Sequence, residues 1–208
     1  MLATALLIAG AGTSSTLARQ ESPEDLQALY RGGIAFDQFL ESADQRREGW
    51  LRNYENGLPS EAALDRARGV GAPARLLVVA EAWCGDSVNT IPYLARLVEA
   101  VEGLEMRIID SDVGAGVMRQ RPTPDGRPAT PTVIALDSDY NEIGRWVERP
   151  SSLQEWFLDN EDGLPRKELY GRKYAWYAED AGSETVSDIT ALLERAFGIS
   201  AAQETSRR

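Results

Sequence analysis

Apolar positions along the chain follow two rhythms. One is unbroken or period two, the other close to 3.6, and together they predict the order of elements. Ala74-Arg75-Leu76-Leu77-Val78-Val79-Ala80 is a β-branched apolar run and reads as a buried strand. Leu104 to Asp110, Pro131 to Leu136 and Glu142 to Val147 give three more strands, the last two joined by the turn Asp137-Ser138-Asp139-Tyr140-Asn141. Helical spacing fills the intervals. Ser22-Pro23-Glu24-Asp25 is a helix start, with Leu26, Leu29 and Tyr30 on the face that follows and Gly32-Gly33 as a break. Phe36, Phe39, Leu40, Trp50, Leu51 and Tyr54 continue an apolar face, and Ser60-Glu61 opens a short helix to Arg68. Val88 to Val101 reads as one helix, and Val113 to Gln120 as a short one.

Beyond the hairpin, Ser151-Ser152-Leu153-Gln154 is a capping box before Trp156 and Phe157. Lys167 to Glu179 carries Tyr170, Tyr174 and Tyr177 on one side, which is the expected inner face of a docked helix. Thr185-Val186-Ser187-Asp188 is the expected cap of a last helix, with Val186, Ile189, Leu192, Leu193 and Phe197 as its stripe. A βαβ unit joined to an antiparallel hairpin gives an α/β fold, a mixed four-stranded sheet with helices on both faces. The expected division is a leader over 1–21, a helical extension over 22–69, a sheet domain over 70–160, C-terminal helices over 161–200 and a tail over 201–208.

Composition then narrows the chemistry. The 208 residues carry a net charge of −11, so nucleic acid is not an expected partner. There is no histidine, which removes a Ser-His-Asp triad, a Cys-His pair and histidine metal sites. The single cysteine cannot form a disulfide within the chain, and no metal site is expected. The leader Leu2 to Gly10 is apolar but too short to span a bilayer. No Lys or Arg precedes it, so a cytoplasmic location is expected, with export as the alternative.

The candidate chemistry lies at Cys84, between the first strand and its helix. A thiol at a helix start meets unpaired N–H groups, which favour the nucleophilic thiolate. Asp86, in the first helical turn, is expected to cap N–H groups, although its charge opposes a thiolate. Ser87 is a candidate hydrogen-bond donor to the sulfur. Trp83 and Gly85 flank the cysteine. Trp146, Arg149 and Pro150 are expected mainly to pack and to cap the surface, and Glu81 is not expected to act as a base.

Residues 74–158 resemble thioredoxins. Trp83-Cys84-Gly85-Asp86-Ser87 stands where that family carries Trp-Cys-Gly-Pro-Cys, and Pro92 stands eight residues after Cys84, at the position of the helix-kinking proline. Thr130-Pro131-Thr132 matches the strand start whose proline, in the family, is cis and faces the cysteine. The combination of Trp-Cys-Gly-Asp with Trp146 and Arg149-Pro150 is similar to a group of bacterial thioredoxin-like proteins with helical N-terminal extensions. The resemblance implies a thioredoxin-like fold with helical N- and C-terminal extensions, Cys84 as nucleophile, and Thr130 and Pro131 as substrate-binding backbone. Two departures bear on function. Ser87 replaces the second cysteine, and Val78 replaces the buried acid six residues before the first. Both parts of the step that resolves a mixed disulfide within one chain are therefore missing.

The expected function is a monothiol thiol–disulfide oxidoreductase. Its partner would be a protein disulfide or a mixed disulfide with a low-molecular-weight thiol, and an external thiol would release it. The alternative is a non-catalytic thioredoxin-fold module that binds proteins. Cys84-Gly85-Asp86-Ser87 is also similar to the Cys-Gly-Phe-Ser of monothiol glutaredoxins, which share an iron–sulfur cluster. The lysine and Gly-Gly pair of that family have no counterpart here, and no cofactor is expected.

Overall fold

The computed structural model describes residues 25–199. The leader over 1–21, the start Ser22-Pro23-Glu24 and the tail over 201–208 lie outside the described residues. The first described cap is Asp25, whose side chain accepts from Ala28 N at 3.0 Å and opens α1 (Leu26–Gly32). α2 (Phe36–Ser42), α3 (Arg47–Glu55) and α4 (Glu61–Gly69) follow, α4 capped by Ser60 as its sequence predicts.

The sheet is mixed and four-stranded. β1 (Ala74–Val79) pairs parallel with β2 (Leu104–Ile109) and antiparallel with β3 (Thr132–Leu136), and β3 pairs antiparallel with β4 (Glu142–Val147). The order is β2-β1-β3-β4. Alternation sorts the side chains onto two faces. Leu76, Val78, Met106, Ile108, Val133 and Ala135 meet Trp50, Leu94 and Ile189, whereas Leu77, Val79, Ile134 and Leu136 meet Tyr30 and Val117. β1 is covered on both faces, which is why its sequence is an unbroken apolar run. Residues from the early helices, the sheet and the last helix share the first of these cores. Ile34, between α1 and α2, exchanges both backbone hydrogen bonds with Ile108 of β2, at 2.9 and 2.8 Å.

The helix expected over 88–101 is two helices, α5 (Gly85–Val88) and α6 (Ile91–Ala100). The break has a local cause. Pro92 has no N–H to offer the Val88 carbonyl, and that carbonyl accepts instead from Asn53 Nδ2 of α3, at 2.8 Å. Thr90 Oγ1 donates to the Asp86 carbonyl and Asn89 Nδ2 to that of Gly85, each at 2.7 Å.

α7 (Ala115–Gln120) leads to the loop before β3. α8 (Ser151–Asn160), α9 (Arg166–Asp180) and α10 (Ser183–Ala196) complete the chain. The expected capping box of α8 is absent. Asp188 accepts from Ser151 N at 2.9 Å and Glu184 from Ser152 N at 2.6 Å, so acids of α10 cap α8. The expected cap of α10 also differs: its N-cap is Gly182 (φ 79°), and Thr185 is a buried residue inside the helix. No described helix is long and apolar enough to cross a membrane.

Candidate functional site

Cys84 ends the turn that leaves β1. Its own side chain, not that of Asp86, caps α5: Ser87 N–H donates to Cys84 Sγ at 3.5 Å. Cys84 Sγ in turn donates to the Thr130 carbonyl at 3.2 Å. The Thr130–Pro131 peptide is cis. The turn is braced from behind, where Trp50 Nε1 donates to the Ala82 carbonyl at 3.0 Å. Glu81 is turned away and accepts from Ser111 N at 2.8 Å. Trp83 is half exposed, at 52%, beside a cysteine that is only 7% exposed.

Asp86 has a role that its position in the sequence does not suggest. It is buried, and its carboxylate faces α9 rather than the open N–H groups of α5. Lys173 Nζ donates to both of its oxygens, at 2.9 and 3.1 Å, and Tyr177 Oη donates to Oδ1 at 2.8 Å. Arg149 Nε lies 3.7 Å from Oδ2. Burial first, and then the Asp86 charge, hold the Tyr177 phenol well above its ordinary value, so it remains a donor to Asp86. The Lys173 ammonium also lies 4.8 Å from the ring centroids of both Tyr170 and Tyr174.

The inner face of α9 is therefore Leu169, Lys173 and Tyr177, spaced four apart and all buried, not the expected tyrosine stripe. Tyr174 is exposed, and its hydroxyl covers Gly85: a Cβ at Gly85 would lie 2.2 Å from Tyr174 Oη. Arg149 packs, as expected, and also lines the cavity over the Cys84 turn. It is buried, bonds Glu148 at 2.8 Å and Gln154 at 3.2 Å, and stacks on Phe157 at 3.8 Å. Glu148 adopts φ 69° and accepts from Arg127 at 3.3 Å, while its N–H donates to the Pro131 carbonyl at 2.7 Å. Burial raises its carboxyl above the ordinary value, and the charges of Arg149 and Arg127 oppose that rise. The Ser87 hydroxyl, expected as a donor to the sulfur, has no hydrogen-bond partner; the serine's backbone makes that contact instead.

A cavity of about 770 Å³ opens over these groups, between the Cys84 turn, the strand start at Thr130 and α9. Of the expected site residues, Trp83, Cys84, Gly85, Asp86 and Thr130 line it, whereas Ser87 is buried within α5 and Pro131 is buried outside the lining. Arg149, which the Arg149-Pro150 motif singled out, and Tyr174 of the tyrosine stripe join them, as do Lys173 and Glu148, which had no local sequence signal except that a lysine shares the apolar face of α9. Among the described residues, no three His, Cys, Asp or Glu side chains group so as to hold a metal ion.

A mixed sheet, a cysteine between β1 and α5, and a cis proline opening β3 define a thioredoxin-fold protein with one thiol. A thioredoxin family model matches residues 33–164, and the chain belongs to that family. No curated protein matches it. A protein of unknown function from Pseudomonas aeruginosa is similar in structure, with TM-score 0.64, 28% identity, and coverage of 81% of this chain and 96% of that one. An HIV epitope-scaffold is similar too, with TM-score 0.63, 25% identity and the same coverage.

Proposed function

We propose that the protein is a monothiol thiol–disulfide oxidoreductase. The supporting observation is the placement of Cys84 Sγ at the floor of an open cavity, 3.2 Å from the Thr130 carbonyl that precedes a cis proline. An extended substrate segment laid along Thr130 would bring its disulfide to the sulfur. The Cys84 thiolate attacks one substrate sulfur, forms a mixed disulfide with it, and expels the other half as a thiolate. An external thiol then attacks the mixed disulfide. It leaves joined to the substrate sulfur, and Cys84 departs as thiolate. Val78 and Ser87 supply no internal resolving thiol or proton acceptor, so the second step belongs to the external thiol.

One contact favours a second reading. The bond to the Thr130 carbonyl uses the S–H proton as donor. A thioredoxin-fold binding module, using the same cavity without catalysis, is consistent with it. Intact-mass analysis after incubation with 2-hydroxyethyl disulfide separates the two. The oxidoreductase reading expects an adduct on the folded wild type that disappears on adding a small thiol, and none on Cys84→Ser. Absence of the adduct on folded wild-type protein refutes it.

A further inference from the structure

Asp86 lies two residues from Cys84, and a carboxylate there opposes a thiolate. α5 is only four residues long, so its dipole offers little to offset that charge. A cation reaches Asp86 from α9, beyond the segment that the family model covers. Lys173, 2% exposed, donates to both Asp86 oxygens. A sealed ion pair of this kind contributes little to stability compared with a well-packed apolar pair, because both charges lose their water.

The other charged or titratable groups around the cavity are Arg46 before α3, Arg127 before β3, Glu148 and Arg149 between β4 and α8, Glu161 and Asp162 after α8, and Arg166, Tyr170, Tyr174 and Tyr177 on α9. Arg127 and Arg149 are engaged with Glu148, and Arg149 Nε stands 3.7 Å from Asp86. Lys173 is the cation in direct hydrogen-bond contact with both oxygens.

We infer that Lys173 is a positioning residue for Cys84: by binding and neutralising Asp86, it allows the thiolate to form in the same turn. The inference rests on the reading of Cys84 as a thiolate nucleophile. α9 is then part of the reactive site and not only packing.

The test is the alkylation rate of Cys84 by iodoacetamide from pH 4 to 10, on the full chain. The wild type is compared with Lys173→Met, Asp86→Asn and the double variant, with circular dichroism as a check on folding. Loss of the lysine should move the midpoint of the profile up by about one pH unit or more. The double variant should return it to within about half a unit of the wild type. A Lys173→Met profile that superimposes on the wild type overturns the inference, as does a double variant displaced as far as Lys173→Met.

Lys173→Met leaves a buried carboxylate short of a partner. If it does not fold, Asp86→Asn is compared with the double variant. The midpoint of Asp86→Asn should then be the lower, since its lysine charge is uncompensated, and equal midpoints overturn the inference. A wild-type thiol that reacts only on unfolding defeats both this inference and the oxidoreductase reading. Reactive wild-type protein with superimposed profiles defeats the role of Lys173 alone.

Discussion

Replacing Gly182 by alanine tests how firmly α9 is held over the cysteine. Gly182 is the hinge between α9 and α10, at φ 79°, a region that costs an L-residue roughly 1–2 kcal/mol. It also abuts α6. A Cβ there would stand 2.0 Å from Tyr93 Cγ and 2.3 and 2.5 Å from the two Cδ atoms. Tyr93 is buried, so its ring cannot swing into solvent, and relieving such an overlap costs roughly 1–3 kcal/mol. The expected loss is the sum, about 2–5 kcal/mol. Urea unfolding followed by tryptophan fluorescence reads it, since Trp50 is fully buried. With a slope of about 2 kcal/mol/M, the midpoint should fall by about 1–2.5 M. A loss below about 1 kcal/mol would mean that the corner relaxes freely and that α9 is not pinned from this side.

Glu148→Gln removes a carboxyl that burial raises above its ordinary value. The folded state holds that proton more tightly than the unfolded one, so the contribution of Glu148 is most favourable below the unfolded value of about 4.3 and is lost as pH rises through the folded one. Urea titrations at several pH values should show the variant gaining on the wild type as pH increases; a pH-independent difference contradicts this. Asp188→Ala deletes an acceptor shared by Ser151 N, Ser151 Oγ and Trp146 Nε1, and should cost about 1–2 kcal/mol in the same assay, with no change if α8 recruits another cap.

The sheet and the cysteine could be read from the sequence because their signals are local. The β-branched run at Ala74–Val79, the turn at Asp137 and the short Trp-Cys-Gly and Thr-Pro motifs each lie within a few residues. What could not be read is what arises from distant parts of the chain. Asp86 meets Lys173 and Tyr177 across separations of 87 and 91 residues, so its first-turn position suggested a cap instead. The acids that cap α8 lie on α10, 32 and 37 residues away. The break after Val88 was written at Pro92, but only Asn53 of another helix makes it inexpensive, by taking the carbonyl that the proline leaves open.

The paired backbone of Ile34 and Ile108 also bears on solubility. β2 is an outer strand, and its free N–H and C=O groups form a template on which a second chain can add. Ile34 occupies that template at Ile108, and α1 and α2 leave it in opposite directions along the chain. The segment between two early helices thus acts as a plug against edge-to-edge association. A proline at residue 34 would remove the donor of one of its two bonds and would be felt first as self-association, before any disturbance of the Cys84 turn.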